Sequence, residues 1–275
     1  MYSCFHSVGL PDRPLMDAIR MVAATGYRSI EINAETLPWA KAHITPDASA
    51  DERRAVAEAC RLHGLSIPAV GAHVAMVSED PAKRAAAIAY VNGCTDLARD
   101  LGSPYVHILS GPVDGSGDTK EAWGWFRQAV EATVAHAQSR GIGLGVEAIA
   151  GHLFHAIDDY RRMRRELPGI PFKVNFDPSH LIVQGENPRR VVDELGGDIA
   201  HVHLKDGKGR FPEFEFPPLG KGAIDFAGLA NALGKLGYSG ALSVEYEAQV
   251  YGYRETEDEI LRSGKAFFDG LQRPA

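Results

Sequence analysis

The sequence predicts a single-domain (β/α)8 TIM barrel over residues 1–275, and three observations carry that expectation. Strand-like and helix-like segments alternate from one end to the other, with no composition break or low-complexity linker between them. Helices stop repeatedly at a glycine placed just before a strand, at Gly26, Gly64, Gly102, Gly141 and Gly237. Four apolar segments in the second half each end on a metal-ligand residue type, which is how a parallel barrel gathers side chains at its C-terminal mouth. The length suits one such barrel, which typically needs about 250 residues.

The elements follow in order. Ser3 to Val8 is a short apolar run, and Leu15 to Thr25 has helical spacing through Leu15, Ile19, Val22 and Ala23. Ser29 to Ile32 is the second strand, followed by a helix over Asp51 to His63. Leu65 to Val74 is the third strand, and Asp80-Pro81 opens a helix that runs to Asp100. Tyr105 to Leu109 and a helix from Thr119 to Arg140 make the fourth unit. The last four strands are Leu144–Glu147, Phe172–Asp177, Ile199–His203 and Ala241–Glu245, with helices near 157–167, 188–195, 224–236 and 255–272. Gly141-Ile142-Gly143-Leu144-Gly145 precedes a strand rather than linking strand to helix, so it reads as a turn and not a phosphate loop. The longest irregular stretch, Lys205 to Gly222, follows the seventh strand; a loop of that length above a barrel is usually functional.

Bulk properties narrow the function. Hydrophobic residues make up 45% of the chain, enough for one large core, and the net charge of −7 argues against a binder of nucleic-acid backbone. The N-terminus lacks a basic segment followed by an apolar core, and no apolar run approaches the ~20 residues of a membrane helix. Cys4, Cys60 and Cys94 are scattered and odd in number, as expected of reduced thiols in a cytoplasmic protein. A small carbohydrate is the expected partner, with no nucleic acid and no membrane, and pairing into a homo-oligomer through the loop faces is expected.

The strand ends supply the candidate chemistry. Glu147, Asp177, His203 and Glu245 offer three oxygen donors and one nitrogen, a set suited to Mn²⁺ first, or to Mg²⁺, Co²⁺ or Zn²⁺. The first four strands deliver His6, Glu31, His73 and His107 to the same rim. In Asp177-Pro178-Ser179-His180, the proline forces the chain out of the strand and His180 turns back over the mouth. Of His201 and His203, one imidazole is expected to face inward: His203 takes the ligand position and His201 is left to packing or to a layer behind it. Glu245 is preferred over Glu247 because it adjoins the apolar run. Trp39 and Phe211 fall in loops after strand ends and can stack on sugar C–H faces, whereas Trp123 and Trp125 read as packing. His43, His63, His136 and His155 fall outside the pattern, and Arg161–Arg165 is a solvated helix face balanced by Asp158, Asp159 and Glu166.

Several of these segments together resemble one superfamily. Val146-Glu147, Asn175-Phe176-Asp177-Pro178-Ser179-His180, His201-Val202-His203-Leu204-Lys205-Asp206, Pro218-Leu219-Gly220-Lys221-Gly222 and Ser243-Val244-Glu245-Tyr246-Glu247 carry the resemblance. They are similar to the sugar phosphate isomerase/epimerase superfamily of xylose-isomerase-like TIM barrels. Its members include ketose 3-epimerases, hydroxypyruvate isomerases, inosose isomerases and dehydratases, and endonuclease IV. The resemblance implies one divalent metal ion on Glu147, Asp177, His203 and Glu245. It also implies that Glu147 and Glu245 exchange protons on opposite faces of a metal-bound enediolate, with His180 on substrate oxygens.

The implied activity is a metal-dependent isomerase or epimerase of a small sugar, keto-sugar or cyclitol. His6, His73, His107, His152, Arg210 and Trp39 are further candidate substrate contacts. Two positions depart from the ketose 3-epimerases: Leu153, beside His152, stands where they carry a glutamate, and Gly209, beside Arg210, where they carry an arginine. The alternative is a lyase that expels a β leaving group, in which His107 or His152 serves as an extra acid or base. Endonuclease IV-like repair is remote, since Lys205–Gly222 contains no histidine. A non-catalytic barrel would leave the ligand quartet without a purpose.

Overall fold

Parallel pairing between the first and last strands closes the sheet on itself. The computed structural model describes residues 1–113 and 119–272. In chain order the elements are β1 (Tyr2–His6), α1 (Leu15–Ala24), β2 (Ser29–Asn33), α2 (Ala50–Leu62), β3 (Val70–Gly71), α3 (Pro81–Leu101), β4 (Tyr105–Ile108), α4 (Thr119–Ser139), β5 (Gly143–Glu147) and α5 (Ile157–Glu166). They continue as β6 (Lys173–Phe176), α6 (Pro178–Ile182), α7 (Arg189–Leu195), β7 (Ile199–Leu204), β8 (Lys208–Arg210), β9 (Glu213–Glu215), α8 (Phe226–Lys235), β10 (Ala241–Val244), α9 (Ala248–Tyr251) and α10 (Glu257–Leu271). Around the barrel the order is β1-β10-β7-β6-β5-β4-β3-β2, all parallel, the expected (β/α)8 architecture. No helix among the described residues is long and apolar enough to cross a membrane.

Local chemistry explains where elements begin and end. Ser49 caps α2 by accepting from the Glu52 N–H at 3.2 Å, while Glu52 Oε2 accepts from the Ser49 N–H at 2.7 Å. Thr256 and Glu259 repeat this reciprocal pair at α10, and Asp80 caps α3 ahead of Pro81. The five glycines expected to end helices all have left-handed φ, between +70° and +88°.

Period-two alternation divides each strand. Ile30, Ile32, Val106, Ile108, Val146, Val174, Val202, Leu204, Leu242 and Val244 belong to the apolar core packed against the helices. Each such side chain stabilises the fold by roughly 1.5–3 kcal/mol when fully buried. Their neighbours in sequence converge inside the barrel and are polar: Glu31, His107, His201, His203 and Ser243. His201 and His203 both face inward, contrary to the expectation that only one would, because residues two apart share a face of a strand.

Three other expectations change. The third strand shrinks from Leu65–Val74 to Val70–Gly71. Ser66 and Ala69 still accept from β2 N–H groups, but Pro68 between them has no N–H to continue a ladder. Of the Gly141–Gly145 segment, only the start is a turn. Gly143 and Gly145 lie in β5, where a Cβ on Gly145 would fall 1.8 Å from the Tyr105 hydroxyl oxygen. The Lys205–Gly222 stretch is partly ordered as the antiparallel hairpin β8–β9. Its base is tied by Asp206, whose Oδ1 accepts from the N–H groups of Gly207 and Ile224 and whose Oδ2 accepts from those of Gly220 and Gly222, at 2.9–3.3 Å.

Asp206→Ala strands those N–H groups. It is expected to destabilise the fold by about 2–4 kcal/mol, with Asp206→Asn in between, as measured by urea unfolding.

Candidate metal centre

At the heart of the barrel lies Glu31, on β2 and fully buried. Its Oε1 accepts from His107 Nε2 (2.6 Å) and His203 Nε2 (3.1 Å), and its Oε2 from His201 Nε2 (2.8 Å) and the Ser243 hydroxyl (2.5 Å). Burial opposes its ionisation, but His6, His201 and His203, with the His107 hydrogen bond, hold it well below the usual carboxylate range. The ionised state leaves Glu31 acceptor-only, so each of these imidazoles must place its proton on Nε2. For His203 this turns Nδ1 toward the mouth, where it offers a lone pair once its proton is displaced.

The sequence-predicted ligands surround that lone pair. Glu147 Oε2, Asp177 Oδ2 and Glu245 Oε2 lie 3.7, 3.8 and 2.6 Å from His203 Nδ1. Asp177 divides its oxygens: Oδ1 accepts the Ser179 N–H at 2.7 Å and caps α6, while Oδ2 has no hydrogen-bond partner. His203 Nδ1 and Glu245 Oε2 are likewise buried without a hydrogen bond, despite their proximity. Two carboxylate oxygens and an imidazole nitrogen that converge, buried, without a hydrogen bond fit a cation in place of the proton on His203 Nδ1, and the set of three carboxylates and one imidazole suits a divalent one. Burial, with Asp177 and Glu245 adding, pushes the Glu147 carboxyl well up, a penalty that a cation would relieve.

Two other clusters, His73 with His107 and Glu147, and His6 with Glu31 and His203, also have ligand atoms close together. In the first, His73 Nε2 and His107 Nδ1 are hydrogen-bonded to each other at 2.6 Å; in the second, His203 Nε2 is taken by Glu31. The first pair of nitrogens is engaged, and in the second cluster only His6 is free, since Glu31 already accepts four hydrogen bonds; the free atoms of Asp177, His203 and Glu245 converge at the other site.

A cavity of about 130 Å³ opens over this centre. Of the sequence candidates, Glu147, Glu245, His6, His73 and His180 line it. His180 Nδ1 accepts the Ala150 N–H at 3.4 Å, turning Nε2 toward Asp177 Oδ2 (3.7 Å) and Glu147 Oε1 (3.8 Å). Asp177 and His203 lie at its floor with the other ligand atoms, and four of the further candidate substrate contacts do not line it. His107 lies beneath, between His73 and Glu31. His152 sits to one side, its pKa lowered to about 4 by burial. Arg210 lies on the exposed hairpin strand β8, against Gly185. Trp39 lines a separate outer cleft. Phe211 is on the hairpin against Gly151, and Trp123 is packed between Phe154 and Arg162.

Lys205, Glu247 and Glu35 line the cavity without having been expected there. Lys205 Nζ is 3.0 Å from Glu245 Oε1, 3.1 Å from Glu247 Oε2 and 3.9 Å from Asp177 Oδ2, and lies over the Phe216 ring. Burial works against ionising Glu245, yet Lys205 and His203 hold it well below the usual range. Lys205 and Glu247 are each two residues beyond a ligand, so the strand period was the signal that could have found them. Glu35 lies in a loop, where no period speaks.

Comparison with known proteins agrees with this architecture. The family model for xylose isomerase-like TIM barrels matches residues 19–270. The chain is 27% identical over 258 residues to a protein of Escherichia coli (strain K12) assigned as an L-ribulose-5-phosphate 3-epimerase, SgbU, covering 87% of this chain and 88% of that one. It is 23% identical over 243 residues to the D-psicose 3-epimerase of Ruminiclostridium cellulolyticum, covering 82% and 76%. Among solved structures, the IOLI protein with a bound zinc atom superposes with a TM-score of 0.81 at 20% identity, covering 98% of both chains.

Glu31→Gln places an amide against imidazole donors and is expected to weaken zinc binding roughly 10- to 100-fold, measured by chelator competition with the fold checked by circular dichroism. Burial opposes protonation of His203, but Glu245, Glu31 and Glu147 raise its pKa well above the usual value. Proton and metal therefore compete for Nδ1, and zinc affinity should fall as pH is lowered, by about tenfold per pH unit where one proton is displaced.

Proposed function

The chain belongs to the xylose isomerase-like TIM barrel family, and from that premise we propose that it is a divalent-metal-dependent 3-epimerase of a small ketose. The observation that carries this reading is the pair Glu147 and Glu245, buried carboxyl groups that line one cavity and flank His203 Nδ1. They come from strands separated by β6 and β7 in the barrel, so they approach a bound molecule from different sides. Relatives named for L-ribulose-5-phosphate and D-psicose 3-epimerisation support the choice of substrate class.

When bound on Glu147, Asp177, His203 and Glu245, a divalent ion would acidify the C–H beside the substrate carbonyl and offset the charge that develops on oxygen; zinc in the IOLI structure supports that class of ion. The protein groups then divide the work. Lys205 holds Glu245 ionised, suiting it to take the proton from carbon. Glu147, on the other side of the same cavity, is placed to deliver one to the opposite face, and the roles exchange in the reverse direction. His180 Nε2 points into the same space and can donate to a substrate oxygen. His6, with neither ring nitrogen hydrogen-bonded, is available on the other wall.

One observation favours a second reading. Leu153, standing where ketose 3-epimerases carry a glutamate, packs against the apolar core. A lyase would share the first proton abstraction and then expel a β leaving group.

Proton NMR in D₂O with the zinc- or magnesium-loaded enzyme and a panel of ketoses distinguishes these. The expected result is deuterium uptake at C3 with formation of the epimer, abolished by EDTA. Glu245→Gln is expected to slow exchange roughly 10²- to 10⁴-fold. Loss of a hydroxyl instead of inversion would establish the lyase; no exchange on any ketose by a metal-loaded enzyme would refute the epimerase.

A further inference from the structure

We propose that Glu35 grips a hydroxyl group of the substrate from the side of the mouth opposite Asp177, and that the sugar it grips carries no phosphate. The proposal rests on the ketose reading above and names its substrate class. The four proposed metal ligands stand on or just after β5, β6, β7 and β10, which are consecutive around the barrel. The opposite half of the mouth, after β1, β2 and β3, contributes His6, Glu35 and His73 to the cavity. Since β2 and β6 are four strands apart in a ring of eight, Glu35 enters across from Asp177.

The loop that carries Glu35 is built to hold it. Asn33 Oδ1 accepts the Glu35 N–H at 3.1 Å, and Asn33 Nδ2 donates to the carbonyls of Glu35 (3.0 Å) and Lys41 (3.2 Å). Ala34 is fixed on both sides: its N–H donates to the Gly71 carbonyl, and its own carbonyl accepts from the Tyr90 hydroxyl. Glu35 is 1% exposed, and its Oε2 accepts the His73 N–H at 2.6 Å. Oε1 makes no hydrogen bond among the described residues and lies 3.6 Å from His73 Nδ1. Gly71 makes the room, since a Cβ there would stand 3.3 Å from Glu35 Oε2. A buried carboxyl group held by one oxygen offers the other to a ligand. Burial pushes its pKa up to about 8, so near neutrality it is an acid that donates to a hydroxyl oxygen.

The charges of the cavity speak to phosphate. Among the described residues that line it, Lys205 is the single lysine or arginine, and it is engaged by Glu245 and Glu247. Lys41 is outside the cavity, in an outer cleft of about 590 Å³ that it lines together with Trp39, beyond Leu37. A phosphate dianion within the cavity would meet the carboxyl groups of Glu35, Glu147, Glu245 and Glu247 without a free protein cation.

Calorimetry of the zinc-loaded enzyme tests this, using free ketopentoses and ketohexoses each paired with its terminal phosphate ester. Bound zinc and Tm are recorded for every variant. The free sugar is expected to bind at least roughly tenfold more tightly than its ester. Glu35→Leu should weaken the free sugar roughly 10- to 100-fold with zinc content unchanged. Glu35→Gln, whose amide accepts the His73 N–H and still donates, should restore affinity to within about threefold of wild type. Tighter binding of the ester, lost in Lys41→Ala, would place a phosphate in the outer cleft and overturn the proposal, as would wild-type affinity in Glu35→Leu or an equal loss in both Glu35 variants. If no sugar bound an enzyme carrying its full zinc, the ketose reading itself would fall, and this proposal with it.

Discussion

A carboxylate buried without water is expensive unless donors surround it, and Glu31 is surrounded by three imidazole N–H groups and a hydroxyl. That single constraint organises the interior. It sets the tautomer of His203 and so decides which nitrogen faces the carboxylates above. It does the same for His107, whose other nitrogen meets His73 at the cavity wall. The polar layer around Glu31 replaces the branched aliphatic side chains that commonly fill such a barrel. Apolar packing is displaced to the outer faces of the strands, against the helices.

Above this layer, charge balance takes over from packing. Glu147, Asp177, Glu245 and Glu247 face Lys205 and a ring of imidazoles within one small cavity. Lys205 cannot neutralise all four, and the unpaired oxygens gather at one point. Without a bound cation, the same imbalance leaves Glu245 ionised and Glu147 costly to ionise, so what surrounds the two glutamates sets their proton affinities apart.

The barrel was legible in the sequence because alternating apolar runs and helix-ending glycines are local signals, repeated unit by unit. The convergence of Glu147, Asp177, His203 and Glu245 was legible because each closes an apolar strand. The strand period holds further information: residues two apart share a face, which sets His201 beside His203 and Lys205 and Glu247 beyond their neighbouring ligand positions, in the cavity. Other features had no local signature. Glu35 is aimed by Asn33, two residues before it, but also by a tyrosine from α3 and a glycine on β3 that are distant in sequence. Arg210 and Trp39 followed strand ends as expected, but the hairpin and the turn at residues 37–40 carry them away from the cavity.

Asp177 ties two parts of the site through one rigid group. One oxygen holds the first turn of α6, the other faces the cluster of ligand atoms, and His180 sits on that five-residue helix. A shift of the carboxylate to suit a larger or smaller ion would tilt α6 and carry His180 with it. At the proposed metal site, ionic radius would thereby be transmitted, as through a short lever, to an imidazole that faces the cavity. Exchanging one divalent ion for another would then alter which molecule the cavity holds best, as well as how fast it reacts.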